Sequence, residues 1–285
     1  MLNLYTYTPV VTKIIEEEKF SDGEKMAVLY HNLFDYPLSF AELIKWQEGK
    51  SITGITGITS KNGFYFLEGR ESLIYQRLLR KRISTKKLEI ALNATRLLKI
   101  IPTIKMIAVT GSLAMGNSTD ESDIDLMIIT SKNTLWITRL CVYCMLYAIR
   151  YKLRRPRVKN ERDALCLNMW LDESDLVFRS RNLYTAHEIA QIVPLVNKNK
   201  TYEKFLWKNK WILNWWPNSV RIRNPKPEIR KVSSFALRAS NFIAFRMQYF
   251  YMKSKITREV VTSTRALFHP QDWGKIVLDR LSIAL

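Results

Sequence analysis

Apolar residues recur every three or four positions in several stretches of the chain, a spacing that predicts helices. One stretch covers residues 24–34, and a second helix is predicted from the capping box Ser39-Phe-Ala-Glu42. Asn62-Gly63 predicts a tight turn, and the aromatic run after it predicts a short strand. The N-terminal part of the chain therefore combines two short helices with a β-ribbon.

This order of elements within residues 1–70 resembles a winged helix module. The segment from Ile52 to Ser60 stands where such a module would place its recognition helix, but it is rich in glycine and β-branched residues and poor in helix formers. We therefore predict a winged-helix-like module. For this segment, a structural or protein-contact role is at least as well supported as direct contact with bases.

A long helix is predicted from Glu71 to Lys99, with a break expected near Ser84-Thr85. Its middle is basic, and a solvated helix face is preferred to a nucleic-acid groove as the interpretation of Arg77, Arg80, Lys81, Arg82, Lys86 and Lys87. Beyond it, the β-branched run 105–110 predicts a buried strand. The pattern then predicts an apolar helix over residues 134–150 and another strand over residues 165–171.

The last third of the chain is basic and aromatic. Thr185-Ala-His-Glu188 is a capping box that predicts a helix, which Pro194 is expected to end. Beyond it, residues 198–265 hold sixteen Lys or Arg against three acidic residues, and a further helix is predicted over residues 235–256. Residues 198–285 are therefore predicted to form a basic, aromatic-rich helical region.

The charge of the whole chain indicates an anionic partner. The 45 Lys plus Arg exceed the 26 Asp plus Glu by 19, which favours polyanions such as nucleotides or nucleic acid. A hydrophobic fraction of 47% excludes a mainly disordered chain, and 285 residues are enough to bury one large core or two modest ones.

The cysteines and the hydropathy pattern indicate the cellular compartment. Cys141, Cys144 and Cys166 stand among apolar residues and are interpreted as reduced core thiols, not as a zinc site, and the three histidines are interpreted as structural because they lack metal-ligand spacing. The most apolar helix is free of charge only between Arg139 and Arg150, which is too short to span a bilayer. The N-terminus lacks the pattern of a secretory signal, so a cytoplasmic protein without a membrane partner is expected.

The candidate chemistry is concentrated in one short stretch. Gly111 and Ser112 follow a predicted strand, and the lack of bulk there would let backbone N–H groups and the Ser112 hydroxyl approach a triphosphate. Ten residues further on, Ser122 precedes Asp123-Ile-Asp125, which opens a second apolar strand. Alternation along a strand puts Asp123 and Asp125 on one face, and a carboxylate pair of this kind suits Mg²⁺ or Mn²⁺ bound to nucleotide phosphates.

The arrangement of strand, Gly-Ser, ten residues, Asp-x-Asp and strand closely resembles the nucleotidyltransferase superfamily. This superfamily includes DNA polymerase beta, poly(A) and CCA-adding enzymes, aminoglycoside nucleotidyltransferases and minimal toxin–antitoxin nucleotidyltransferases. The resemblance covers about residues 88–172. It implies a nucleotidyltransferase fold, an NTP substrate such as ATP, and a divalent metal held by Asp123 and Asp125. By the same resemblance Gly111, Ser112 and Ser122 are the predicted nucleotide-binding residues.

The family usually has a third carboxylate on a later strand, which acts as metal ligand and general base. Asn168 and Trp170 are predicted to share the more polar face of strand 165–171. Asn168 stands where the family's third carboxylate would be expected. An amide ligates a metal weakly and cannot accept a proton. Asp163 and Asp172 at the two ends of the strand are alternatives if its register is shifted.

The predicted fold is mixed α/β: a winged-helix-like module (1–70), a nucleotidyltransferase domain (71–197) and the basic helical region (198–285). The leading functional prediction is metal-dependent transfer of a nucleoside monophosphate from an NTP to a hydroxyl acceptor, with an RNA or tRNA end favoured by the charge. Two alternatives stay open. One is a small-molecule nucleotidyltransferase of the aminoglycoside type, and the other is a catalytically weak regulator that keeps the fold and binds nucleic acid or a partner protein.

Overall fold

A computed structural model describes residues 20–49, 57–155, 161–225, 234–268 and 272–284. Its N-terminal part consists of α1 (Asp22–Asn32), β1 (Leu38–Ser39), α2 (Phe40–Lys45), β2 (Ile58–Lys61) and β3 (Phe64–Leu67), with the three strands in the order β1-β3-β2. The predicted capping box is present, since the Ser39 side chain accepts from the backbone of Glu42 and the Glu42 side chain accepts from the backbone of Ser39. Residues 50–56, which include most of the glycine-rich part of the segment, lie outside the described residues, so the winged-helix assignment stays a prediction.

The predicted long helix, α3 (Ser72–Leu98), is continuous over 27 residues. The break expected at Ser84 is wrong. The Ser84 hydroxyl accepts a hydrogen bond from the backbone N–H of Ser118 (3.0 Å) in another segment, so this side chain serves a tertiary contact without interrupting the helix.

The central sheet has the strand order β7-β4-β5-β6-β9-β8. Only β5 and β6 are parallel, and the other neighbours are antiparallel. The strands are β4 (Ile104–Val109), β5 (Ile124–Thr130), β6 (Leu165–Asp172), β7 (Val193–Asn197), β8 (Val260–Val261) and β9 (Arg265–Leu267). A one-turn helix, α4 (Gly111–Ala114), follows β4, and α5 (Leu135–Ala148) crosses over between the two parallel strands.

Helices cover both faces of this sheet. The remaining ones are α6 (Leu183–Ala190), α7 (Thr201–Lys208), α8 (Phe235–Lys253) and α9 (Trp273–Ala284), with a short 3₁₀ helix at Lys210–Asn214. On one face, Met127 and Ile129 pack in a first core with α1, α2 and α6. On the other face, Leu126 and Ile128 pack in a second core with α3 and α5. The mixed α/β class is thereby confirmed.

A bulge in β6 changes which side chains share a face. The register of β6 against β5 shifts by one residue between Asp125 and Met127. Beyond the shift, Trp170 lies in the second core. The prediction that Trp170 shares a face with Asn168 is therefore wrong.

The region after residue 197 is mainly helical, as predicted, but β8 and β9 extend the central sheet from within it. The division of the chain into three units therefore stays a prediction. The cap of α6 also differs from the expectation, because Asn182 and not Thr185 accepts from the first turn, and Pro194 lies in β7.

Two of the predicted core thiols lie elsewhere. Cys141 and Cys144 are exposed on α5, whereas Cys166 on β6 is buried as expected. The prediction for the pair is wrong because the outer side of α5 is apolar in sequence and yet faces solvent. None of the helices in the described ranges combines the length and hydropathy that a bilayer-crossing segment needs.

A buried histidine pair joins α1 to α6. The Nε2 atoms of His31 and His187 lie 3.1 Å apart, and Trp46 and Trp216 pack around them. Burial lowers the pKa of both rings, that of His187 to about 3, so the pair is neutral and one ring donates to the other. This placement agrees with the structural role predicted for these two histidines, while His269 lies outside the described residues.

Candidate active site

The two carboxylates of the Asp-x-Asp motif meet at the start of β5. Alternation along the strand places Asp123 and Asp125 on the face that Met127 continues into the first core. Cys166 is the residue opposite Asp125 on β6. One carboxylate oxygen from each aspartate and the Cys166 sulfur lie within 4.8 Å of one another.

Gly111 allows the turn after β4 to approach this cluster. Its φ of +59° lies in the left-handed region, and a Cβ atom added there would stand 2.6 Å from Oδ2 of Asp125. The backbone N–H of Thr110 donates to the carbonyl oxygen of Asp125 (3.1 Å), which holds the two strands at this point. A side chain at position 111 would therefore collide with the carboxylate.

Asn168 is the third polar group at the cluster. Its Nδ2 donates to Oδ1 of Asp125 (2.6 Å), while its buried Oδ1 has no hydrogen-bond partner in the described part of the chain. The other two candidates have partners elsewhere. Asp163 pairs with Lys87 (2.6 Å), and Asp172 accepts from the backbone N–H of Asn133 (2.6 Å).

The electrostatics of the cluster follow from its burial and its two like charges. Burial, and then the negative charge of Asp123, raise the pKa of Asp125 to about 7. Burial and the same carboxylates raise the pKa of the Cys166 thiol, so the sulfur stays protonated. Two carboxylates and an unpartnered amide oxygen are hard donors that fit a cation such as Mg²⁺, whereas a neutral thiol does not.

Arg154 lies at the open side of the cluster. It forms an ion pair with Asp123 and also lies 3.9 Å from the Cys166 sulfur. Glu121, Ser122, Asp123, Arg154 and Glu161 line a cavity of about 160 Å³ there. This cavity gives solvent a route to Asp123. The neighbouring Arg155 pairs with Glu161 (2.7 Å), and Arg157 and Lys159 lie outside the described residues.

The loop that joins α4 to β5 is held by one polar face of α3. Arg77 donates to the carbonyl of Met115 (3.2 Å), and Ser84 accepts from Ser118. Lys87 donates to the carbonyls of Asp120 (3.1 Å) and Ser122 (2.7 Å) in addition to pairing with Asp163. Arg77, Ser84 and Lys87 thus bind loop residues that follow one another in the same order along the chain.

Arg77 and Lys87 are therefore not part of a solvated face, and that interpretation is wrong for both residues. Their side chains are only 10% and 2% exposed. Each basic group can be buried because the loop supplies carbonyl oxygens, while Glu42 of α2 supplies a carboxylate to Arg77 and Asp163 before β6 supplies one to Lys87.

The N-terminal part reaches the same loop. The Tyr36 hydroxyl lies 2.8 Å from the Met115 carbonyl oxygen and 2.6 Å from the Glu42 carboxylate, and Arg77 pairs with Glu42 (2.7 Å). The Arg77 guanidinium also lies 3.8 Å from the centre of the Tyr36 ring. Sequence patterns did not point to this network, because its members are 6 to 79 positions apart.

The two predicted serines differ in their surroundings. Ser112 is exposed, with its hydroxyl 3.4 Å from that of Ser118. Ser122 closes a turn by accepting from the backbone N–H of Thr119 (3.0 Å). The predicted nucleotide-binding role of both residues stays a prediction.

Comparison with known proteins identifies the class of domain. Residues 93–182 match the family model described as polymerase beta, nucleotidyltransferase, a range that contains the Gly-Ser turn, the Asp-x-Asp motif and Asn168. The central part of the chain is thus a nucleotidyltransferase domain of the polymerase beta type, as the resemblance predicted, and this domain indicates a transferase.

One solved structure with similarity is described as the crystal structure of the toxin-antitoxin with AMP-PNP. The match has 18% identity, covers 44% of this chain and 82% of that chain, and has a TM-score of 0.26. A likeness of this size carries no argument about fold or function. No curated protein matches the chain.

Proposed function

We propose that the protein transfers a nucleoside monophosphate from an NTP to a hydroxyl acceptor. The observation that carries the proposal is the pair Asp123 and Asp125 with the Gly111 turn packed against it, inside a segment that matches the nucleotidyltransferase family. Gly111 and Ser112 would bind the triphosphate through backbone N–H groups and the exposed hydroxyl. Through the metal ion that they would hold, the carboxylates would position the triphosphate for in-line attack.

Asp123 and Asp125 are the residues that would hold Mg²⁺ or Mn²⁺, with the Asn168 amide oxygen as a weak third ligand. The ion would offset the negative charge that develops on the departing pyrophosphate. Arg154 adds a positive charge beside Asp123, at the opening where a triphosphate would carry its own negative charge.

An RNA or tRNA end is the acceptor that the charge of the chain favours. The excess of basic residues is concentrated in residues 198–265. Phosphate contacts of Lys and Arg would bind RNA of any sequence alike, and the affinity would fall steeply with salt.

The direct test incubates the full chain with each labelled NTP, Mg²⁺ and total RNA, and follows label into RNA, protein and small molecules. Asp123→Asn and Asp125→Asn should each lower transfer by about a thousandfold or more, since a metal ligand is lost with little change in volume. Asp120→Asn is the matched control, because this exposed carboxylate pairs with Arg162 (2.5 Å) outside the cluster and should leave transfer unchanged. Full activity in either site variant would contradict the proposal.

The catalytically weak regulator is favoured by one observation, the amide of Asn168 at the place of the family's third carboxylate. Asn168→Asp separates the two functions. In an enzyme that lacks a base, the variant should raise transfer by about tenfold or more, provided that metal offsets the added charge. A regulator should bind nucleotide and Mg²⁺ in titration calorimetry, yet transfer no label with either residue at position 168.

A further inference from the structure

The helices α5 and α8 lie side by side on the second core, and Arg139, Asn241 and Gln248 form hydrogen bonds between them. Asn241 accepts from the backbone N–H of Trp136 (2.8 Å), and Gln248 accepts from Arg139 (2.6 Å) and donates to the Trp136 carbonyl (2.9 Å). Arg139 is thus engaged with α8 and is the only charged residue within α5. The contact leaves the outer sides of both helices to solvent.

These outer sides are largely apolar, with Arg238 and Arg246 exposed among the apolar residues of α8. On α8 the exposed fractions reach 84% for Phe250, 65% for Met247 and 58% for Ile243. Large apolar residues are exposed on both helices and at the position directly after α5. They are Leu140, Tyr147, Ile149, Phe235, Phe242, Ile243, Met247, Phe250 and Tyr251. Apolar surface of this extent on two contacting helices marks a binding surface, here called the α5/α8 surface.

The two helices that form the α5/α8 surface carry charge of one sign. Residues 134–160 and 234–258, which contain the two helices, hold twelve Lys or Arg, and the first acidic residues after these ranges are Glu161 and Glu259. Arg150 and Lys152 follow α5, Arg238 and Arg246 lie within α8, and Lys253 ends it, all with exposed side chains. The partner must therefore accept apolar side chains and carry negative charge.

We propose that the α5/α8 surface binds the interfacial region of an anionic lipid bilayer. Apolar and aromatic side chains enter the boundary between headgroups and acyl chains, and long basic side chains reach the lipid phosphates. A second copy of the chain fits less well, because it would bring two positive surfaces together. Nucleic acid fits less well because four of the nine exposed apolar residues, Ile243 and Met247 among them, are aliphatic and cannot stack on bases as the aromatic rings do.

This inference differs from the sequence-based expectation of no membrane partner, which rested on the lack of a segment long enough to span a bilayer. A helix that lies in the interface needs no spanning length, only an apolar face with basic residues near it. That face is assembled from two helices about 100 residues apart in the chain, so no single stretch displays it.

The test uses the full chain and two kinds of vesicle, phosphatidylglycerol in phosphatidylcholine and phosphatidylcholine alone. The protein should sediment with the anionic vesicles and much less with the neutral ones. A single dye label reports the geometry, because Cys141→Ser leaves Cys144 as the exposed thiol among the cysteines, with Cys166 buried. An environment-sensitive dye on Cys144 should shift its emission to the blue only with anionic vesicles.

Two substitutions separate apolar insertion from simple charge attraction. Ile243→Asp and Phe250→Asp should each weaken vesicle binding by about tenfold, because each removes an inserting side chain and adds a repelled charge. Tyr75→Asp is the matched control, since it makes the same change of charge at a 73% exposed aromatic residue of α3. It should weaken binding by no more than about twofold.

Several results would overturn the proposal. These are a lack of sedimentation with anionic vesicles, an equal loss of binding in the control variant, and an unshifted dye. A dimer in analytical ultracentrifugation that Ile243→Asp dissociates would assign the surface to a second copy. Loss of RNA binding in the same variants, with vesicle binding unchanged, would assign it to nucleic acid.

Discussion

The helices α3 and α8 break the usual distribution of polar and apolar residues in opposite ways. α3 buries Arg77, Ser84 and Lys87, whereas α8 exposes Phe242 and Phe250. On α3, Arg77, Ser84 and Lys87 each form a hydrogen bond with the loop before β5. On α8, the rings of Phe242 and Phe250 stack on no other ring of the described residues.

Burial of polar groups does not by itself mark a functional site. The buried polar face of α3 is explained within the molecule, because it holds the loop that leads into Asp123. The exposed apolar face of α8 is unexplained by the fold and so indicates a partner outside it. The two faces should therefore respond to substitution in different ways, one through stability and the other through binding.

The largest effect on stability is expected from Lys87→Met. The variant keeps the length of the side chain but leaves two loop carbonyls and the Asp163 carboxylate without their shared donor. The free energy of unfolding should fall by about 3 kcal/mol in urea denaturation. Lys86→Met, at an exposed neighbour, is the control and should change it by less than about 0.5 kcal/mol. Equal losses in both variants would mean that the buried position of Lys87 has no special role.

A smaller effect, with a pH dependence, is expected from Arg77→Met. Although burial opposes it, the charge of Arg77 and the hydrogen bonds from Tyr36 and Ser39 hold the pKa of Glu42 below its ordinary value. A carboxyl with a lowered pKa in the folded state contributes stability above its unfolded pKa, and this contribution is lost as the pH falls through the folded pKa.

The variant should therefore be less stable than the parent by about 2 kcal/mol near pH 7, and by clearly less near pH 3. Thermal or urea unfolding at the two pH values measures this difference. A loss of the same size at both would remove Glu42 from the explanation.

The smallest effect on stability is expected from Phe250→Ser. Because this ring is 84% exposed, its loss should change the free energy of unfolding by less than about 0.5 kcal/mol, while binding at the α5/α8 surface weakens. A destabilisation of more than about 2 kcal/mol would mean that the ring is part of the core, and the contrast with α3 would disappear.

The buried polar stripe on α3 is partly visible in the sequence. Arg77, Arg80, Ser84 and Lys87 continue, at spacings of three and four, the stripe of Ala91, Ala94 and Leu98 that packs on the second core. That continuity indicates one face, but it does not say that a loop with free carbonyls covers the polar half. Because isolated Arg and Lys are costly to bury, the sequence alone favours a solvated face for these residues.

Local patterns were sufficient for most elements and for the carboxylate pair. The turn at Gly111, the strand after Asp123 and the shared face of Asp123 and Asp125 all follow from neighbouring residues, and alternation within one strand needs no distant contact. The choice of Asn168 over Asp163 and Asp172 also followed from alternation. The register shift in β6 falls between Cys166 and Met169, where Asn168 still faces Asp125, whereas Trp170, beyond the shift, packs on the opposite face.

The class of domain and the place of its acidic pair thus follow from local patterns, because strand alternation and turn chemistry are properties of short segments. Three features depend instead on the packing of the chain: Lys87 binds Asp163, Arg154 pairs with Asp123, and α5 and α8 place their apolar sides next to each other. Each of these contacts joins segments that are tens of residues apart. Which carboxylates and basic groups come into contact depends on how the whole chain packs, and no local sequence pattern contains this information.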